Sequence, residues 1–138
     1  MTPPQFNFSG STNWQDLLTI HEYRHVQQFK NSRVGLTKLA SILFGQNGWA
    51  FMSGTALPRW YYEGDAVATE TALTSSGRGR TPEFDMEYRA LRTEGMHYNY
   101  EKASAGSLKD FVPSHYQLGY NMIAYGRSKF GADIWGKT

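Results

Sequence analysis

The chain is 138 residues long, one domain's worth, since single domains usually run to roughly 100–150 residues. With 40% hydrophobic, 15% aromatic and 19% charged residues, it is neither a disordered segment nor a coiled coil. Fourteen Lys and Arg against twelve Asp and Glu give a formal charge of +2, and the longest basic run, Arg78-Gly79-Arg80, is too short for a nucleic-acid footprint. The absence of cysteine excludes a disulfide scaffold, a Cys-ligated zinc site and thiol catalysis.

The opening MTPPQFNFSG has no basic n-region and no apolar h-region, so it is not a secretory signal as it stands. Export to a periplasmic or extracellular space is expected only if a longer precursor carries such a signal. Residues 1–12, rich in Pro, Ser, Thr and Asn, read as an extended arm. Asn13 is placed to cap a helix, with Asp16 in its first turn, where negative charge suits the helix dipole. Trp14, Leu17, Leu18, His21, His25 and Phe29 then recur at helical spacing, which predicts one amphipathic helix over about 13–31.

Leu36, Leu39, Ala40, Leu43 and Phe44 predict a second helix, ended by the turn Gly45-Gln46-Asn47-Gly48, with residues 47–57 as an irregular connection. The uncharged stretch from Leu39 to Pro58 is broken by Gln46, Asn47, three glycines and the proline itself, so it reads as a buried helix and a loop, with no membrane span. Pro58 is suited to a helix start, and Trp60–Leu73 has no internal breaker except Gly64. Ser75–Pro82 reads as a loop whose Arg78 and Arg80 offer two guanidiniums for a substrate carboxylate, with solvated charges as the favoured reading. Further helices are expected at about 83–94 and 113–130, the latter stopped by Gly131. The last eight residues read like the opening of another helix, as in a fragment of a longer protein. Nothing alternates as a strand, so the expected fold is a single, mainly α domain.

Chemistry concentrates in His21-Glu22-Tyr23-Arg24-His25, an H-E-x-x-H motif inside the best-defined helix. Residues i and i+4 share a helix face, so both imidazoles can converge on one zinc ion while Glu22 stands beside it to polarise a bound water. The alternative is two histidines hydrogen-bonded on a buried face with Glu22 as a solvated charge. A metzincin would continue with Gly and His, but Gln28 and Asn31 occupy the corresponding positions, and Met52 near Gly54 is therefore no Met-turn. The third ligand is sought in a second helix, where Glu63 follows His25 after 37 intervening residues and Glu70 lies two turns further along the same face.

H-E-x-x-H followed by W-x-x-E-G-x-A-x-x-x-E, here Trp60 to Glu70, resembles the gluzincin metallopeptidases, thermolysin-like in general and closest to the aminopeptidase N type and related peptidase MA-like proteins. The resemblance implies a zincin-like helical core, with an active-site helix and a Glu-bearing helix, in a fragment lacking the family's N-terminal β-sheet. It implies one zinc ion held by His21, His25 and Glu63, with Glu22 as general base and Glu70 as the orienter of a ligating histidine. Pro113–Tyr120 looks like the family's Y-x-K-G segment, in which Tyr116 falls on the oxyanion-stabilising tyrosine and Leu118 replaces the lysine. Tyr120 and His115 compete for that role. His97 reads as a surface or packing histidine.

The implied activity is zinc-dependent hydrolysis of a peptide bond in a peptide or protein substrate, with further domains of a longer protein as partners. The family's edge strand and its amino-terminus-recognising segment cannot lie in the twenty residues before His21, so aminopeptidase specificity is not implied. The competing expectations are a non-catalytic zinc-binding domain of a larger envelope or binding protein, and a metal-free helical interaction module.

Overall fold

The computed structural model describes residues 14–134. Six α-helices follow in order: α1 (Trp14–Asn31), α2 (Gly35–Ala56), α3 (Arg59–Leu73), α4 (Met86–Thr93), α5 (Tyr100–Ala105) and α6 (His115–Phe130). A single 3₁₀ turn, Arg78–Arg80, lies between α3 and α4, and no strand occurs among the described residues. The mainly helical expectation therefore holds. The expected arm at residues 1–12, the Asn13 cap and the last four residues lie outside the described part.

The central element is α3, which packs against α6, α1 and the 3₁₀ turn. Ala66 and Val67 are fully buried on it, and Trp60 and Ala68 meet Ile123 of α6, with Tyr61, Leu118, Tyr120 and Met122 around them. Two glycines set the α3–α6 distance. A Cβ on Gly64 would fall inside the van der Waals envelope of the Gly119 backbone, and one on Gly119 would strike the Trp60 carbonyl oxygen. The two backbones thus touch directly, and that contact fixes how Glu63, beside Gly64, stands relative to His115 and Tyr116 at the start of α6.

Local signals explain most helix ends. Ser114 Oγ accepts from the Tyr116 amide at 3.2 Å while Gln117 Oε1 accepts from the Ser114 amide at 3.1 Å, a reciprocal capping box that starts α6 at His115, two residues later than the expected 113. Gly131, at φ 97°, ends it. The helix α4 starts later than expected because residues 82–85 form turns. The short α5, capped by Asn99 Oδ1 on the Lys102 amide at 2.9 Å, was not foreseen.

The largest correction concerns α2. Gly45, at φ 67° and ψ −154°, breaks helical geometry as the expected turn requires, but the chain resumes a helix at once and residues 47–56 are helical, not irregular. No proline intervenes before Pro58, so nothing prevents the restart. Nor is α2 buried. Thr37, Ala40 and Ser53 are its buried residues, while Leu36, Leu39, Ile42, Leu43, Phe44 and Phe51 are exposed. Its second half is tied down by Trp49 Nε1 donating to Ser32 Oγ at 3.1 Å and by Tyr62 OH donating to the Ser53 carbonyl at 2.8 Å.

Candidate metal centre

On α1, His21 is 5% exposed and faces α3, and His25 stands one turn further along. Glu63 comes from the second turn of α3, started after Pro58. Their donor atoms form a nearly equilateral triangle: His21 Nε2 to Glu63 Oε2, His25 Nε2 to Glu63 Oε2, and His25 Nε2 to His21 Nε2 are each 3.3 Å. For bonds of about 2.0 Å, a tetrahedral zinc site has ligand–ligand edges of about 3.3 Å, so the triangle matches one face of such a tetrahedron with the fourth vertex left for water. These residues form the His/Glu cluster with metal-ligand spacing among the described residues. The donor set of two imidazoles and one carboxylate also suits zinc.

Each histidine has a partner on its other nitrogen. For His25 the tautomer follows from hydrogen bonding. Gln28 Nε2 donates to the Tyr62 carbonyl at 3.0 Å and to Asp65 Oδ2 at 2.9 Å, both pure acceptors, so Gln28 Oε1 is the atom facing His25 Nδ1 at 2.8 Å. His25 Nδ1 therefore carries the proton, and Nε2 presents its lone pair to the cluster. Asp65, 3% exposed, anchors this chain of bonds by also accepting from Arg24 Nε at 2.6 Å and Arg127 Nη2 at 2.9 Å, which joins α1, α3 and α6 at one carboxylate.

For His21 the partner is Glu70, two turns beyond Glu63 and 1% exposed, with Oε2 at 3.1 Å from Nδ1. Arg78 grips the same carboxylate in a fork, Nε to Oε1 at 2.6 Å and Nη2 to Oε2 at 2.8 Å. Burial alone would push the Glu70 carboxyl up, but the hydrogen bonds and charges of Arg78 and His21 outweigh it and hold it below the usual carboxylate range. Arg78 Nη2 also lies 2.7 Å from His21 Nδ1. A guanidinium donates and never accepts, so ligation through Nε2 requires Nδ1–H to point at Glu70 and Arg78 to spend its donors on the carboxylate.

The expectation of solvated loop charges is corrected for Arg78, which pairs with Glu70, while Arg80 is exposed as expected. Arg80 donates through Nη2 to the Thr71 carbonyl at 2.9 Å and through Nε to that of Thr74 at 3.3 Å, satisfying the end of α3. Both flanking glycines are in close contact: a Cβ on Gly77 would meet the backbone of Thr71, and one on Gly79 the ring of Tyr120. The Gly-Arg-Gly-Arg sequence is the signal that could have placed Arg78 against Glu70. For Gln28 it is the three-residue offset from His25.

Glu22, between His21 and His25 in the sequence, is exposed and has no hydrogen-bond partner among the described residues. Tyr116 stands near the cluster, its ring 6.2 Å from that of His21, and burial followed by the charge and hydrogen bonding of Glu63 raises its pKa. His115 lies against Tyr116 at 4.6 Å between ring centroids, and its Nε2 is buried without a partner among the described residues. Burial and then the Arg59 charge lower the His115 pKa, partly offset by Glu63. Tyr120, by contrast, donates its hydroxyl to the Gly79 carbonyl at 3.3 Å and packs against Phe84. His97 is exposed and away from the cluster, as expected.

Comparison with family models, curated proteins and solved structures found no match to this chain.

Proposed function

We propose that the protein is a zinc-dependent hydrolase of peptide bonds, with a zincin-like core in which His21, His25 and Glu63 hold one zinc ion. The observation that supports this reading is the 3.3 Å triangle of donor atoms, with Glu70 and Gln28 acceptor oxygens within hydrogen-bond reach of the two distal histidine nitrogens and an exposed carboxylate, Glu22, following His21 in the sequence. Zinc bound there supplies Lewis acidity and lowers the pKa of a water in its open position toward about 7.

Glu22, in the role of general base, takes the proton of the attacking water and passes it to the leaving amine. Its exposure and lack of partners suit a group that must meet both water and substrate. Tyr116, whose pKa is raised, stays protonated at neutral pH and donates its hydroxyl to the oxyanion that forms as the carbonyl is attacked. Glu70 and Gln28 fix the two histidine rings, and Arg78 and Asp65 fix Glu70 and Gln28 in turn. A solely structural zinc site has no use for a carboxylate placed like Glu22.

Glu22→Gln tests the reading. Zinc content should stay at the wild-type level while cleavage of a peptide library falls by at least about a hundredfold. Cleavage that persists unchanged in the variant would refute catalysis at this centre.

A further inference from the structure

Away from the metal centre, α2 presents a different kind of surface. In its first half, Leu36, Leu39, Ile42 and Leu43 lie on one contiguous face by helical periodicity, while Ala40 at the edge of that face and Thr37 beyond it are buried. Leu36 is 70% and Ile42 71% exposed, and Phe44 and Phe51, on either side of the Gly45 break, are each 72% exposed. Isolated surface leucines need no explanation, but a run of this kind on one helix does.

Charge says what covers it. From Tyr23 to Tyr62 the chain has no Asp or Glu, while Arg24, Lys30, Arg33, Lys38 and Arg59 lie in that stretch. Only Arg24 among these meets a carboxylate, that of Asp65, among the described residues. Lys38 sits one turn from Ile42 at the border of the apolar face, and Arg33 lies over the Trp49 ring at 4.7 Å. A second copy of this chain would bring the same cations against these. Residues 1–13 and 135–138 contain no acidic side chain. An apolar helix face bordered by unpaired cations and free of acids complements a surface that is apolar just beneath a layer of negative charge.

We propose that α2 is an interfacial helix that seats this protein on an anionic lipid bilayer, lying in the headgroup plane. It does not cross the bilayer, since no helix among the described residues is long and apolar enough to do so. Leu36, Leu39, Ile42 and Leu43 insert at the acyl boundary, and Lys30, Arg33 and Lys38 meet lipid phosphates.

Co-sedimentation of the full chain with vesicles tests this directly. Binding is expected to vesicles of mixed phosphatidylcholine and phosphatidylglycerol, to weaken with added salt, and to be much weaker on phosphatidylcholine alone. The double variant Leu39→Asp, Ile42→Asp should lose it. Should that variant prove misfolded by circular dichroism, Lys30→Gln, Arg33→Gln, Lys38→Gln carries the test, with partitioning reduced roughly a hundredfold. No binding to either vesicle, or equal binding to both, would overturn the proposal. So would self-association by light scattering, abolished by the same substitutions without any vesicle binding.

Discussion

Gln28 and Glu70 each hold one histidine by the nitrogen that faces away from the His21–His25–Glu63 cluster, and partners of this kind around a metal site commonly govern affinity by about 10–100-fold. Gln28→Ala is therefore expected to weaken zinc binding by that factor, read by competition with a chelator, while leaving the helical content unchanged. Glu70 has a second consequence. Its carboxyl is held below the usual range by Arg78 and His21, so its contribution to stability is fully present above the ordinary carboxylate pKa of about 4 and is lost as pH falls through the lowered value. Thermal unfolding followed on metal-free protein from neutral pH downward should show that loss, and Glu70→Gln should flatten it. His21, Glu22 and His25 were legible because the motif lies within one helical turn. Glu63 and Glu70 were legible through their spacing and the family resemblance. Arg24, Gln28, Asp65 and Arg78 were not, because a charge or amide that is paired across elements looks in sequence like a solvated one.

Among elements, the α3–α6 contact decides whether the site forms. Gly64 and Gly119 meet backbone to backbone, so Gly119→Ala must separate the helices or distort them. Overpacking of this kind costs about 1–3 kcal/mol, measurable as a lower urea midpoint, and it should also move Tyr116 relative to Glu63. The helix start after Pro58 and the stop at Gly131 were readable from local capping chemistry, whereas the Ser114 cap, which starts α6 two residues later than expected, was not picked out. The restart of α2 after Gly45 was not, because one glycine at positive φ breaks the helical geometry without ending the helix. Its apolar face was read as core for a simple reason: periodicity shows that a helix has an apolar face, and says nothing of what covers it.

Across the whole molecule, the His21–His25–Glu63 cluster ties α1 to α3 while α6 and the 3₁₀ turn back them. No strand occurs among the described residues. On the proposed reading zinc would bind the folded arrangement in preference to the unfolded chain, so saturating zinc should raise Tm, by about 10 °C when free zinc is near a hundred times its dissociation constant. The mainly α class was clear from the pattern of apolar residues, whereas the pairing of α3 with α6, far apart in sequence, rests on two glycines that no periodicity marks. The most direct test of the central claim is zinc per chain, by elemental analysis of tag-free protein purified without added metal and again after zinc addition and desalting. About one zinc per chain, absent from His21→Ala, is the predicted result. No zinc before or after addition, or an undiminished content in His21→Ala, would contradict it.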